Sequence, residues 1–327
     1  MTVAAVLLAY AVGVGTLGAR VLARASWTAR APLLAILTYL AAAWSIVAAL
    51  GLVGLTLAVH ATALGSALSQ LIGACVLRLR ATYATPGGAA VAAAGLVLAG
   101  AVAVRTTLTA ASHLRVTRRQ AQRHARTARL VGRPEPDLGA VLVEHSQPAA
   151  YCVAGRHPTV IVTTGALQVL APGQLDAVLA HERAHLAWRH HRLLAMARIS
   201  RRAVPFLSLM RDAEAQVERL VELHADDAAT QARDPASLAT ALGVLAAAAS
   251  TSISTSAPVP AAPAPVLASA ATDAVQRIHR LLHPAEPLGR SRRLLLRAAA
   301  AALVLGPLAM ALAPAVLALA LGRVPHP

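Results

Sequence analysis

Four long apolar stretches constrain the fold of this chain more than any other feature of the sequence. An α-helix needs about 20 residues to cross the roughly 30 Å hydrocarbon layer of a bilayer. Stretches of this length and character cover residues of about 2–19, 32–59, 89–111 and 298–322. The chain is also 57% hydrophobic, which is more apolar than an ordinary soluble domain. The sequence therefore predicts a mainly α, multi-pass membrane protein with four transmembrane helices.

The arginines indicate how these helices cross the membrane. The net charge is +16, and none of the 30 basic residues is a lysine. Arginines cluster after the first stretch, after the third and before the fourth, at residues 20–30, 115–129 and 290–297. Because basic loops resist translocation, the sequence predicts that both termini lie outside the cell membrane and that residues 115–297 are cytoplasmic. This topology accounts for the arginines, so no nucleic-acid partner is expected.

The predicted organisation is an N-terminal membrane region at 1–114, a cytoplasmic domain at 115–297 and a C-terminal transmembrane helix within 298–327. Two segments fit it less directly. Residues 60–80 have an apolar core of about 16 residues, which is short for a span. We interpret them as an interfacial or re-entrant helix on the outer side, with a fifth span as the alternative. Residues of about 250–270 form an Ala/Pro/Ser-rich linker that need not pack.

An α+β arrangement is predicted for the cytoplasmic domain. Residues 115–133 form a basic helical extension that suits an anchor on anionic lipid. Short β-branched runs follow at 140–143 and 159–163, with Gly155 and Pro158 favouring a hairpin before the second run. Helices are predicted from Pro172 to about residue 200, over 208–232 and over 273–282.

Residues 178–191, VLAHERAHLAWRHH, contain the first candidate site. Residues four apart lie on one face of a helix, so His181 and His185 can present two imidazoles to one ion, with Glu182 close beside it. This geometry suits zinc, which takes nitrogen ligands, needs a third protein ligand and keeps one position for water. Zinc lowers the pKa of that water, and a neighbouring carboxylate can accept its proton. The alternative is an exposed polar stripe on an ordinary helix.

The second predicted helix carries a row of carboxylates, at Glu214, Glu218, Glu222 and Asp226. Like charges at this helical spacing repel one another, so cationic groups are expected to face them. Arginine side chains can do this, and a metal ion can take one of the carboxylates as its third ligand. The spacing allows either Glu218 or Glu222 to be that third ligand.

Two motifs resemble a known group of enzymes. HERAH at 181–185 and ELHAD at 222–226 are similar to the HExxH and ExxxD signatures of the membrane metallopeptidase families M48 and M56. The resemblance covers residues of about 138–232, and it implies a gluzincin-like zinc peptidase domain with a small sheet and an edge hairpin. The order of three spans, domain and fourth span is similar to M56. His190 extends the first motif to HExxHxxxxH, which is closer to M48.

The resemblance implies a role for each residue of the two motifs. Zinc, one ion per chain, is expected to be held by His181, His185 and Glu222, with Glu182 as general base in peptide-bond hydrolysis. Asp226 is expected to orient a ligand histidine. The strand around 149–154 is expected to hold an extended protein or peptide substrate by backbone pairing.

The sequence thus predicts a membrane-embedded zinc endopeptidase beside the lipid bilayer. An M56-like protein would cut a cytoplasmic repressor, and an M48-like one would cut damaged membrane proteins. The alternative is a non-catalytic signalling or scaffold protein that retains the fold, and the presence of Glu182 argues against it. His190 either reaches the cleft or lies on the surface. Asp227 stands where many M48 members have arginine, so the oxyanion stabiliser is not assigned, and the sequence predicts no particular oligomer.

Overall fold

The computed structural model describes residues 2–58, 88–155, 158–253 and 264–320. Helices make up most of this part of the chain and accompany one small mixed sheet. The helix that we expect at 60–80 lies outside the described residues, as does the middle of the expected linker, at 254–263.

The predicted spans coincide with long helices. α1 (Thr2–Gly13) continues through a π-helical turn (Val14–Gly18) into α2 (Ala19–Ala23), and α3 (Pro32–Ala58) follows. α4 (Gly88–Val131) and α11 (Arg290–Ala320) are the other two. Among the described residues, these four helical segments are long and apolar enough to cross a membrane. The four apolar helices are therefore compatible with a membrane protein, as predicted.

α3 is central among the four long apolar helices and packs against α1, α4 and α11. A methyl group on Gly54 would lie 2.5 Å from the backbone nitrogen of Ala99, and one on Gly95 would lie 2.6 Å from the carbonyl oxygen of Gly54. Only glycine allows such a close approach of α3 and α4. Small residues commonly serve this purpose where membrane helices cross.

A small sheet follows α4, with β1 (Arg133–Glu135), β2 (Ala140–Val143), β3 (Ala150–Val153) and β4 (Thr159–Thr163). Its strand order is β1-β2-β4-β3, with β2 parallel to β4 and the other pairs antiparallel. The expected strand at 140–143 and the hairpin that ends at 159–163 are both present. β1 was not predicted, because its charged residues and proline have low strand propensity. Pairing with β2 holds these residues in the strand conformation that their own propensity does not favour.

Six further helices lie between the sheet and α11 in the described residues. They are α5 (Thr164–Val169), α6 (Pro172–Ala187), α7 (His190–Ala203), α8 (Ser208–Ala229), α9 (Pro235–Ile253) and α10 (Ala264–Leu282). The expectation of one helix from Pro172 to residue 200 is wrong. Arg189 takes a left-handed conformation (φ 52°, ψ 42°) and separates α6 from α7. Neither glycine nor proline stands at this break, so the sequence pattern stays helical across it and does not predict it.

The expected linker at 250–270 is also partly helical. α9 extends to Ile253, and α10 begins at Ala264. The alanines in this segment are good helix formers, and the apolar face of α10 packs on α9. The amphipathic piece that we expect at 273–282 forms the C-terminal half of α10.

α8 connects the membrane helices to the rest of the chain. Its apolar face is fully buried at Leu209, Met210 and Leu220, in one core with Ile36 and Tyr39 of α3. A second core contains the buried face of α6 together with strand β4 and helix α9. α6 and α8 also pack against each other, and the candidate site lies where they meet.

Candidate metal centre

α6 places two histidines on one face, one turn apart. The helix begins at Pro172, where proline fits the first turn, and the side chain of Gln174 accepts a hydrogen bond from the backbone nitrogen of Ala171 at 3.0 Å. Burial of the apolar face then fixes the rotation of the helix. The Nε2 atoms of His181 and His185 lie 3.1 Å apart as a result.

α8 brings a carboxylate to the same point. Oε2 of Glu222 lies 3.5 Å from Nε2 of His181, and Oε1 lies 3.6 Å from Nε2 of His185. The three donor atoms all lie within 4.8 Å of one another. Glu218, the other carboxylate that the sequence left open, instead pairs with Arg198 at 2.7 Å.

The donor set fits a zinc ion. Two imidazole nitrogens and one carboxylate are ligands that zinc takes in catalytic sites, where a fourth position stays open. Burial lowers the pKa of His185 to about 4, so this ring is neutral and can donate its lone pair at neutral pH. Burial alone would raise the pKa of Glu222, but the hydrogen bond with His181 and the charge of Arg277 lower it to about 2. The group could therefore bind a metal ion.

Asp226 lies behind His181, on the side away from the other donors. Its Oδ1 is 3.0 Å from Nδ1 of His181, a short contact whose angle departs from an ideal hydrogen bond. The carboxylate is completely buried. Burial by itself would lower the pKa of His181, but contacts with Asp226 and Glu222 outweigh burial and raise it to about 9. Asp226 is thus placed to orient a ligand histidine.

Arg277 of α10 completes this side of the site, and the sequence analysis did not identify it. Its guanidinium donates to both carboxylate oxygens of Asp226, at 2.8 and 2.7 Å, and lies 3.0 Å from Oε2 of Glu222. These contacts, with the close approach of His181, lower the pKa of Asp226 to about 2 against the effect of burial. The carboxylate row had indicated that cations face α8, but the sequence does not show which of 30 basic residues does so.

The expectation that cations face the row of carboxylates is confirmed along its whole length. Glu214 contacts Arg201 and Arg198 of α7. Directly after Asp226, Asp227 pairs with Arg280 of α10 at 2.7 Å. α8 is therefore held between basic side chains of the helix before it and of a helix 50 residues later.

Glu182 lies between the donor group and the edge strand β3. Burial raises the pKa of its carboxyl group, and nearby His181 and the thiol of Cys152 act in the opposite direction. Burial and the Glu182 carboxylate raise the pKa of Cys152 to about 12, so the thiol stays protonated. A carboxylate with a raised pKa next to the donor group is suited to take up a proton and release it again.

His190 is neither a surface residue nor one of the three donors. Only 1% of it is exposed. Its Nδ1 lies 2.9 Å from Nδ1 of His185, and its Nε2 lies 2.9 Å from Nδ1 of His224. Burial lowers the pKa of all three rings, so they are neutral. The left-handed turn at Arg189 points α7 back toward α6 and so brings His190 behind the ligand His185.

A small cavity of about 240 Å³ opens beside Glu222, between α8 and α10. The Glu222 side chain is 38% exposed, whereas that of His181 is 7% exposed. The donor group is therefore reached from the Glu222 side, and His181 forms its closed side.

Comparison with known proteins is consistent with this geometry. Residues 114–241 match the family model of Peptidase family M48. The match includes both motifs, all three donors and Glu182, and it supports a metallopeptidase of family M48, whose members are zinc metallopeptidases. Neither a curated protein nor a solved structure matches the chain. Arg277 lies beyond the matched residues, and the likeness to M56 stays a prediction.

Proposed function

We propose that this protein is a membrane-embedded zinc endopeptidase that hydrolyses peptide bonds of protein substrates. The observation that carries the proposal is the convergence of His181, His185 and Glu222 on one point, with Glu182 beside them, inside the segment that matches M48. We assign a gluzincin-like peptidase fold to residues 115–297 and one zinc ion to each chain.

His181, His185 and Glu222 would hold the ion, and Asp226 would keep the His181 ring in one orientation. When bound, zinc supplies a Lewis acid for the scissile carbonyl and lowers the pKa of the attacking water. Glu182 accepts the proton of that water and passes it to the leaving amine, which its raised pKa favours.

The substrate is expected to bind in extended form along β3. Within the described residues, β3 pairs with β4 on one side only, and its other edge is free to pair with a peptide backbone. Cys152 of this strand contacts Glu182, so a peptide on β3 would pass close to the general base. This position favours an unfolded or flexible segment as substrate, whether it belongs to a repressor or to a membrane protein.

The decisive experiment is to compare the wild-type chain with the Glu182→Gln variant in detergent. The wild type should bind about one zinc ion and cleave an unfolded protein such as casein. Loss of the general base is expected to slow cleavage by about 10²- to 10⁴-fold, while the zinc content stays the same. Glu218→Gln is the matched control, because Glu218 pairs with Arg198 outside the donor group, and it should leave both properties unchanged.

Two results would contradict this proposal. A wild-type chain that binds zinc but cleaves no protein would favour the non-catalytic scaffold. A chain that binds no zinc would show that the donor group is not a metal site.

We further propose that the donor group faces the cytoplasm, with both termini outside. The arginines that follow α1 and those at the start of α11 support this orientation. A phosphatase that is active only outside the membrane should be active when fused after Pro327 and inactive when inserted after Arg233, which is exposed between α8 and α9. The reverse pattern of activity would overturn the assignment.

A further inference from the structure

A groove runs along the membrane helix α4, far from the donor group in sequence. Its other walls are the C-terminal end of α7 and the first turns of α8, and its volume is about 860 Å³. This lies within the roughly 300–1,000 Å³ of small-molecule sites. The residues that line it are Ala101, Val104, Arg105, Leu108, Thr109, Arg201, Arg202, Pro205 and Glu214.

The groove has a surplus of positive charge, since three arginines face one glutamate. That glutamate is already used, because Glu214 contacts both Arg201 and Arg198. Arg105 donates from Nε to the carbonyl oxygen of Arg202 at 3.0 Å. This hydrogen bond satisfies a backbone carbonyl at the end of α7 but leaves the positive charge of Arg105 unpaired. Among the described residues, neither Arg105 nor Arg202 has an acidic partner. The groove therefore complements an anion.

The opposite wall is apolar and belongs to a membrane helix. Val104 and Leu108 are 57% and 64% exposed, and both lie in the candidate span Ala90–Gln120. Phe206, next to the groove, is 70% exposed. Arg105 lies within the same candidate span, where an unpaired charge is costly. A ligand with an anionic head and an apolar tail would cover both walls and pair this charge.

We propose that the groove binds an anionic phospholipid of the surrounding bilayer. The lipid phosphate lies between Arg105 and Arg202, where guanidinium groups bind phosphate oxygens with charge-assisted hydrogen bonds. One acyl chain follows α4 along Val104 and Leu108. This site is distinct from the basic extension at 115–133, and it does not depend on the proposed peptidase activity.

The test uses the purified full-length chain after removal of native lipid. Phosphatidylglycerol and phosphatidylcholine with identical acyl chains are added in turn, and bound lipid is counted by native mass spectrometry. The wild type should bind one phosphatidylglycerol in preference to phosphatidylcholine. Each arginine near an anionic lipid is worth about fivefold in affinity, so Arg105→Gln with Arg202→Gln should weaken phosphatidylglycerol binding by about 25-fold.

The matched control removes the same charge elsewhere. Arg192 and Arg233 are exposed at the start of α7 and after α8, and replacing both with glutamine should leave lipid binding unchanged. The single variant Arg202→Gln is expected to fold normally, because the Arg202 side chain makes no hydrogen bond or ion pair with the described residues. It should weaken phosphatidylglycerol binding by about fivefold. A thermal melt of each variant verifies folding.

Three outcomes would overturn the proposal. Equal binding of the two lipids would mean that an apolar segment, rather than an anionic headgroup, occupies the groove. An equal loss of binding in the control pair would mean that the lipid follows overall charge. Unchanged binding in the folded groove variants would place the lipid elsewhere.

Discussion

His190 is placed to determine which ring nitrogen of His185, one of the three candidate metal donors, carries the hydrogen. When Nε2 of His185 binds a metal, its Nδ1 must carry the hydrogen. That hydrogen points to Nδ1 of His190, 2.9 Å away, which must then accept it. Nε2 of His190 is left as the donor to Nδ1 of His224, also at 2.9 Å. One tautomer is thereby selected for each of the three rings.

Replacing His190 is expected to weaken metal binding without removing a ligand. His190→Phe keeps an aromatic ring but removes both hydrogen bonds, and loss of such a partner costs about 10- to 100-fold in metal affinity. Zinc affinity can be measured by competition with a chromogenic chelator. His191→Phe is the control, because His191 is exposed on the same helix. Equal affinities for the two variants would show that His190 only fills space.

The individual residues were the most predictable part of the site. HERAH and ELHAD are each short, so helical geometry alone places the residues of each motif on one face. The partnership of His190 with His224 was missed because it depends on the left-handed turn at Arg189. That turn has no signal in the residue types around it.

At the scale of elements, α10 holds α8 in place through two ion pairs of different burial. Arg277 pairs with Asp226, whose side chain is 1% exposed, and Arg280 pairs with Asp227, whose side chain is 38% exposed. Breaking a buried pair by removing one partner costs about 3–5 kcal/mol. An exposed pair contributes about 0–1 kcal/mol. The two arginines are one turn apart on the same helix.

Arg277→Gln is therefore expected to lower the free energy of unfolding by several times more than Arg280→Gln. Denaturant titration of the metal-free chain in detergent gives both values.

The pH dependence provides a second measurement. Because the folded pKa of Asp226 is about 2, below its ordinary value of 3.8, its contribution is complete above pH 3.8 and is lost as the pH falls toward 2. Arg277→Gln should reduce this acid dependence, because His181 remains as the other group that lowers the pKa of Asp226, and an unchanged acid profile would contradict the assignment.

Elements were predictable where a single segment determines them. The four long apolar helices, the strand β2 and the hairpin follow from local hydropathy and turn residues. The first half of α10 lies in the linker that the sequence predicts at 250–270, because this Ala/Pro/Ser-rich segment has no polar-apolar periodicity, whereas the second half is predicted as an amphipathic piece. Its helical state is supported by packing against α9, which a local pattern does not contain.

At the scale of the whole molecule, the predicted boundary between a membrane region and a domain at 115–297 does not divide the hydrophobic core. Leu209, Met210 and Leu220 of α8 are fully buried in the same cluster as Ile36 and Tyr39 of α3. The hydroxyl of Ser208 also donates to the carbonyl oxygen of Gly15 at 3.0 Å. The sequence could not show this, because hydropathy identifies the segments that enter a bilayer but not the faces that pack on them.

A fragment of residues 115–297 is therefore expected not to fold alone. Without α3, the buried face of α8 would be exposed to water, at about 1.5–3 kcal/mol for each large apolar side chain. Circular dichroism and binding of a hydrophobic dye should show a loosely packed or aggregated fragment, whereas the full chain in detergent should melt cooperatively. A fragment that melts cooperatively and binds zinc would show that α3 is dispensable for the site.

The donor group joins two hydrophobic cores. His181 and His185 stand on α6, whose buried face belongs to the core of β4 and α9, and Glu222 stands on α8, whose buried face belongs to the core of the membrane helices. An ion held by all three residues is a cross-link between these units. Part of its binding free energy stabilises their junction, so taking the ion away removes a structural tie as well as a chemical group.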